Sequence, residues 1–198
     1  MQSLIVNNNL FAQTCPLLLK DQQLENPYQF LEEFTSTFPL HHYQKALDTW
    51  FNAALHEKLK HPDPEALHYL HQQLQKLLNA WFLLVSQPSK ANLIPSPYPD
   101  AKHRKKDKFP GAKNQRFKEH YQPYWLNHND YQKPVDYLRT ALTLANITHL
   151  RKGLQIWLEC ALAEHDCLAD THPSYGFELY QQLQQLLEAS YFILHSPK

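Results

Sequence analysis

Two stretches of the sequence decide the fold: PLHHYQKALDTWFNAALHE at residues 39–57 and NITHLRKGLQIWLECALAE at residues 146–164. Seven of their aligned positions are identical, including a tryptophan in the middle of each. Apolar residues recur at steps of 3, 4, 3 and 4, which places them on one face of an α-helix. The two stripes are Leu40, Tyr43, Leu47, Trp50 and Ala54, and Ile147, Leu150, Leu154, Trp157 and Ala161.

The similarity extends well beyond these helices. Residues 16–57 align with residues 123–164 at a constant offset of 107, with 11 identities in 42 positions. Residues 64–88 align with residues 173–197 at an offset of 109, with 10 identities in 25. Several of the matched residues are prolines at element boundaries. The pattern predicts a tandem duplication, with copies at residues 16–88 and 123–198.

Each copy is expected to contain an extended lead-in and three helices. The first helix begins at Pro27 or Pro134, the second carries the tryptophan, and the third begins at Pro64 or Pro173. Ser36 or Thr37, and Asn146 in the second copy, are candidate caps for the second helix. Because the loop that follows it is short, the second and third helices of a copy are expected to pack as an antiparallel pair.

The third helix is apolar over a wide arc, with Leu77, Leu78, Trp81 and Phe82 close together. One neighbour cannot cover such an arc, and a copy of about 70 residues buries little core by itself. The sequence therefore predicts an all-α protein whose copies dock as one pseudo-twofold helical bundle. Trp50, Trp157, Leu47, Leu154, Leu74 and Leu183 are expected to form its core. A ligand-stacking role for the tryptophans is the alternative.

Composition narrows the class of protein. Only 3 glycines occur beside 14 prolines, so glycine-rich phosphate loops and dinucleotide fingerprints are excluded. Three cysteines do not make a disulfide framework, which favours a reducing compartment. Residues 1–15 are expected to be a leader without the features of a signal peptide. No apolar run is long enough to cross a membrane, and we expect a cytoplasmic protein that does not bind membranes.

The connector, residues 89–122, has a different charge from the copies. It carries 9 basic and 3 acidic residues, whereas each copy carries 5 basic and 8 acidic ones. An exposed, irregular segment of this kind suits phosphate binding, and we treat it as a candidate nucleic-acid interface. A solvated linker lying against the acidic copies is the alternative. The candidate contacts are Lys102, Arg104, Lys105, Lys106, Lys108, Lys113, Arg116 and Lys118.

Possible metal ligands form one cluster, with the spacing C-x4-H-x-C-x4-H: Cys160, His165, Cys167 and His172. Structural zinc sites usually have more closely spaced pairs, and Cys160 equally suits a buried thiol. A Glu-x-x-His motif at Glu65 and His68 has no counterpart in the second copy, which argues against a di-metal centre. We expect no cofactor.

Histidines offer one further possibility, because His42 and His149 occupy aligned positions. They could form a paired site, or each could be a helix-start residue bonded locally. The sequence nominates no catalytic residue. It favours a non-enzymatic interaction module that binds another protein or a second copy of itself. Nucleic-acid binding through residues 102–118, and a histidine-dependent enzyme or metal protein, are the alternatives.

Overall fold

A computed structural model describes residues 18–55, 63–86, 124–163 and 173–195. The leader 1–15 and the connector 89–122, with its eight basic candidates, lie outside the described residues. The described part is all-helical and contains no strand. Its helices are α1 (Asp21–Glu25), α2 (Pro27–Thr37), α3 (Leu40–Leu55), α4 (Pro64–Ser86), α5 (His128–Gln132), α6 (Pro134–Ala141), α7 (Leu144–Leu162) and α8 (Pro173–His195).

Helix starts follow the local chemistry of the chain. Four helices begin at a proline, whose fixed φ and missing N–H suit the first helical position. Helix α7 begins at Leu144, before the expected cap Asn146, because the Thr143 hydroxyl accepts the backbone N–H of Asn146 at 3.3 Å. The expected extended lead-ins each contain a short helix, α1 or α5. In α1, the Gln23 side chain accepts the backbone N–H of Lys20 at 3.1 Å and so stabilises the first turn.

The helix pairing differs from the one expected. The helix α3 makes its extensive contacts with α7 and α8, rather than with its neighbour in the chain, α4. Correspondingly, α4 packs on α7 and α2. The expected antiparallel pair of α3 and α4 is therefore wrong. Helix α3 packs mainly against the other half of the chain, so the two halves share one core.

The six residues expected in the core, listed above, are all 0% exposed. The rings of Trp50 and Trp157 meet edge to face, with centroids 6.0 Å apart and planes at 80°. The Trp50 indole Nε1 donates to the backbone oxygen of Trp157 at 3.2 Å. These tryptophans are thus packing residues at the junction of α3 and α7.

None of the described helices is long and apolar enough to span a membrane.

Candidate binding groove

A groove of about 480 Å³ lies where α3 and α4 fail to pack closely. Helix α3 contributes His42, Tyr43, Lys45, Ala46 and Thr49 to its wall. The opposite wall is Ala66, Tyr69 and Leu70 of α4, and Phe38 closes one end. A volume of several hundred Å³ is typical of sites that bind ligands or side chains.

The floor of the groove is apolar and rigid. Tyr43 and Leu70 are buried, and the Tyr43 ring stacks on Phe34 with a centroid distance of 4.2 Å. The Tyr43 hydroxyl donates to the backbone oxygen of Phe34 at 3.3 Å. Burial, with a smaller contribution from Tyr69, raises the pKa of the Tyr43 phenol well above its usual range. The floor therefore stays neutral at physiological pH.

The edges of the groove combine aromatic rings with a cationic side chain. Phe38 is 40% exposed and Tyr69 is 46% exposed. Lys45 is exposed as well, and no described residue accepts a hydrogen bond or an ion pair from its ammonium group. The Thr49 hydroxyl donates to the Lys45 backbone oxygen at 2.9 Å, so this hydroxyl is already bonded within its own helix. No described residue that lines the groove is acidic.

The aligned place in the second half is filled. Tyr175 aligns with Ala66, and its ring packs edge-on against His149 at 4.8 Å between centroids. Gly153 aligns with Ala46. A Cβ at Gly153 would lie 2.5 Å from Leu179 Cδ2 and 3.1 Å from the Tyr175 hydroxyl oxygen. Glycine thus lets α8 side chains rest on the backbone of α7, whereas alanines in the first half leave a gap.

Glu188 and Arg151 are buried polar residues outside the groove. The Glu188 carboxylate, in a residue 2% exposed, accepts backbone N–H groups of Tyr124, Trp125 and Leu126 at 3.0, 2.9 and 2.9 Å. Arg151 donates to Asn79 Oδ1 at 3.0 Å. Three charge-assisted bonds occupy the carboxylate, so Glu188 tethers the segment before α5 to α8 and is not an open reactive group.

A polar cluster that includes Asp48 and Tyr180 joins α3 to α8. The Tyr180 hydroxyl donates to Asp48 Oδ1, and Gln184 Nε2 donates to the same oxygen at 3.0 Å. Burial and then the hydrogen bond to Asp48 raise the pKa of Tyr180 to about 12. The phenol therefore remains a hydrogen-bond donor and acts as a tie between the halves.

Among the described residues, the other candidates singled out from the sequence do not assemble into a site. His165, Cys167 and His172 lie outside the described residues, while Cys160 is a buried thiol on α7. In the described part of the chain, no three His, Cys, Asp or Glu residues are placed to hold a metal ion. No hydrogen bond or ring contact between described residues joins His42 to His149. His42 lies near Phe38 instead, with ring centroids 6.1 Å apart.

The groove was not predicted from the sequence. The available signal was the pair of differences between the aligned copies, Ala66 for Tyr175 and Ala46 for Gly153. Tyr175 fills space that Ala66 leaves empty, and Gly153 allows a close approach of side chains from α8 that the Cβ of Ala46 does not.

Comparison with known proteins gives no match, since no protein-family model, no curated protein and no solved structure is significantly similar to this chain.

Proposed function

We propose that this chain is a non-enzymatic interaction module that binds a segment of another protein in the groove between α3 and α4. The observation that carries the proposal is the groove itself: an apolar floor of buried Tyr43 and Leu70, open to solvent beside exposed rings. Exposed apolar surface of this kind marks interaction sites. A groove along two helices suits an amphipathic partner helix that inserts one or two anchor side chains.

The proposal includes a duplicated architecture, with copies at residues 16–88 and 123–198 docked about a pseudo-twofold axis. Helix bounds support it. Both ends of α1 and α5 differ by 107 residues, and both ends of α4 and α8 differ by 109. Helices α2 and α6 begin, and α3 and α7 end, at positions 107 apart. Two aligned pairs also touch each other, Trp50 with Trp157 and Trp81 with Ser190, as residues beside such an axis would.

A cytoplasmic location belongs to the same proposal. It is supported by the three cysteines of the sequence. An odd, small number of cysteines suits a reducing compartment.

The experiment that tests the interaction module is a selection of displayed helical peptides on the full chain. The matched negative is the Ala66→Tyr variant, which places in the groove the residue found at the aligned position of the second half. We expect peptides that bind the wild-type chain at least tenfold more tightly than the variant. Failure to recover any peptide that distinguishes the two chains contradicts the proposal.

Sedimentation velocity of both chains identifies the partner class. A monomer at micromolar concentration agrees with a site for another protein. A wild-type dimer that dissociates in the Ala66→Tyr variant contradicts that assignment, because the groove would then bind a second copy.

A further inference from the structure

We propose that the groove accepts an aromatic side chain, Tyr or Phe, that the partner protein presents next to an acidic residue. This inference rests on the interaction module proposed above, and it names the chemistry of the anchor.

The second half supplies the template for the anchor. There the Tyr175 ring packs edge-on against His149, with centroids 4.8 Å apart, and its hydroxyl oxygen lies against the backbone at Gly153. The first half keeps the aligned histidine, His42, at the groove edge, but Ala66 replaces the tyrosine. An aromatic ring supplied from outside would thus restore the contact that the second half makes within its own chain.

The size of the groove agrees with this occupant. A closed apolar cavity of about 150 Å³ is enough to bind a benzene ring. The groove, at about 480 Å³, therefore accommodates one ring and the side chains that flank it. The exposed rings of Phe38 and Tyr69 offer edge-to-face partners, an arrangement that adds to the stabilisation from buried area.

The positive charge of Lys45 at the groove edge favours an acidic residue beside the aromatic anchor of the partner. Lys45 projects at the edge without a carboxylate partner among the described residues, and His42 lies one turn away on the same helix. A partner carboxylate beside the aromatic anchor would meet the Lys45 ammonium group, and no described lining residue would oppose it with a carboxylate of its own.

The test uses the full chain and p-cresol, which has the side chain of tyrosine, in a titration followed by amide NMR shifts. We expect saturable binding, with the shifts centred on Ala46, Thr49 and Ala66. The Ala66→Tyr variant should weaken binding at least tenfold, because its own ring fills the groove. The Tyr175→Ala variant should gain a second site, with shifts at Gly153 and Leu179. Methylcyclohexanol, a non-aromatic molecule of similar size, should bind at least threefold more weakly than p-cresol.

The charge is tested with 4-hydroxyphenylacetate, which adds a carboxylate to the same ring. It should bind about threefold more tightly than p-cresol to the wild-type chain, and this gain should disappear in the Lys45→Glu variant. Lys45 is exposed, so the variant has no reason to misfold and remains informative if Ala66→Tyr does not fold.

Two negative results have different meanings. If the selected peptides bind the groove through aliphatic anchors while p-cresol does not bind there, the aromatic anchor is overturned and the interaction module stands. If neither the peptides nor p-cresol distinguishes wild type from Ala66→Tyr, both are overturned.

Discussion

The indole Nε1 of Trp81 donates a hydrogen bond to the hydroxyl of Ser190 at 2.7 Å. The two residues are 109 positions apart, at the same place in α4 and α8, and Trp81 is 0% exposed. The Ser190 hydroxyl in turn donates to the Leu186 backbone oxygen at 2.7 Å. The large Trp81 thus packs against the small Ser190 at a place where two tryptophans would compete for the same space. The bond between them joins the two halves.

Replacing Ser190 with Ala should lower the free energy of unfolding by about 1–3 kcal/mol, because it leaves the buried Trp81 N–H without an acceptor. Replacing Trp81 with Phe removes the donor as well as some packing. In the double variant the missing acceptor no longer matters, so the two losses should fall short of additivity by about 1 kcal/mol. Urea denaturation of the four chains measures this coupling. Strict additivity would show that the bond contributes nothing to stability.

Whether replacing Gly153 with alanine raises or lowers the stability of the chain should depend on its neighbour Leu179. A Cβ there lies 2.5 Å from Leu179 Cδ2, and overpacking of this kind costs about 1–3 kcal/mol. Alanine is more favourable than glycine inside a helix by about 0.5–1 kcal/mol, which offsets part of this cost. Gly153→Ala should therefore destabilise the chain by about 1 kcal/mol. In a Leu179→Ala background the closest contact is absent and only the 3.1 Å approach to the Tyr175 hydroxyl remains, so the same change should become stabilising. Thermal denaturation of the four chains checks this reversal. If Gly153→Ala lowers stability in both backgrounds, Leu179 is not the residue that excludes a Cβ at position 153.

His71 should make the stability depend on pH. Burial, and then electrostatic interactions with His68 and Arg151, lower the pKa of its imidazole from the ordinary 6.5. The unfolded chain therefore binds more protons than the folded chain between that lowered pKa and 6.5. Stability should consequently fall as the pH drops below about 6.5, and level off below the folded-state pKa. Gln75 Nε2 lies 3.2 Å from His71 Nε2, a contact that suits only a neutral ring nitrogen that accepts.

The matched variant is His71→Gln, which keeps a polar side chain at the site. Its denaturation midpoint should fall less between pH 7 and pH 5 than that of the wild-type chain. Above about pH 7.5 the two curves should run parallel. Equal slopes in the acid range would assign the pH dependence to other groups, such as His195, whose pKa burial also lowers.

The sequence predicted the helices and the identity of the buried face, because 3.6-residue periodicity determines which side chains share a face. It did not predict which helices pair. Leu70, Leu74 and Leu77 of α4 recur as Leu179, Leu183 and Leu186 of α8. Either helix therefore offers nearly the same apolar surface to the stripe of α3, and the short loop between α3 and α4 favoured α4 as the predicted partner. In the structure, α3 packs on both α7 and α8, and Trp50 lies against Trp157 of α7.

The groove could not be predicted for a related reason. Alanine fits almost any position of a helix, so Ala46 and Ala66 carry no signal of their own. Their effect appears only once the separation of α3 and α4 is known and compared with α7 and α8, where Gly153 and Tyr175 close the gap. The sequence favoured the connector, residues 89–122, as a candidate site because a run of charged residues can be recognised without knowing the fold, whereas a gap in packing cannot.

The central claim is that each half completes the core of the other, and it is tested by producing residues 1–88 and 89–198 as separate chains. Helix α3 finds its main partners, α7 and α8, in the second chain. Each fragment alone should therefore lack a near-ultraviolet circular dichroism signal from its tryptophans, or else form homodimers. An equimolar mixture should give a 1:1 complex with the spectrum and the single cooperative transition of the intact protein. Fragments that are monomeric and fully folded before mixing would contradict the account.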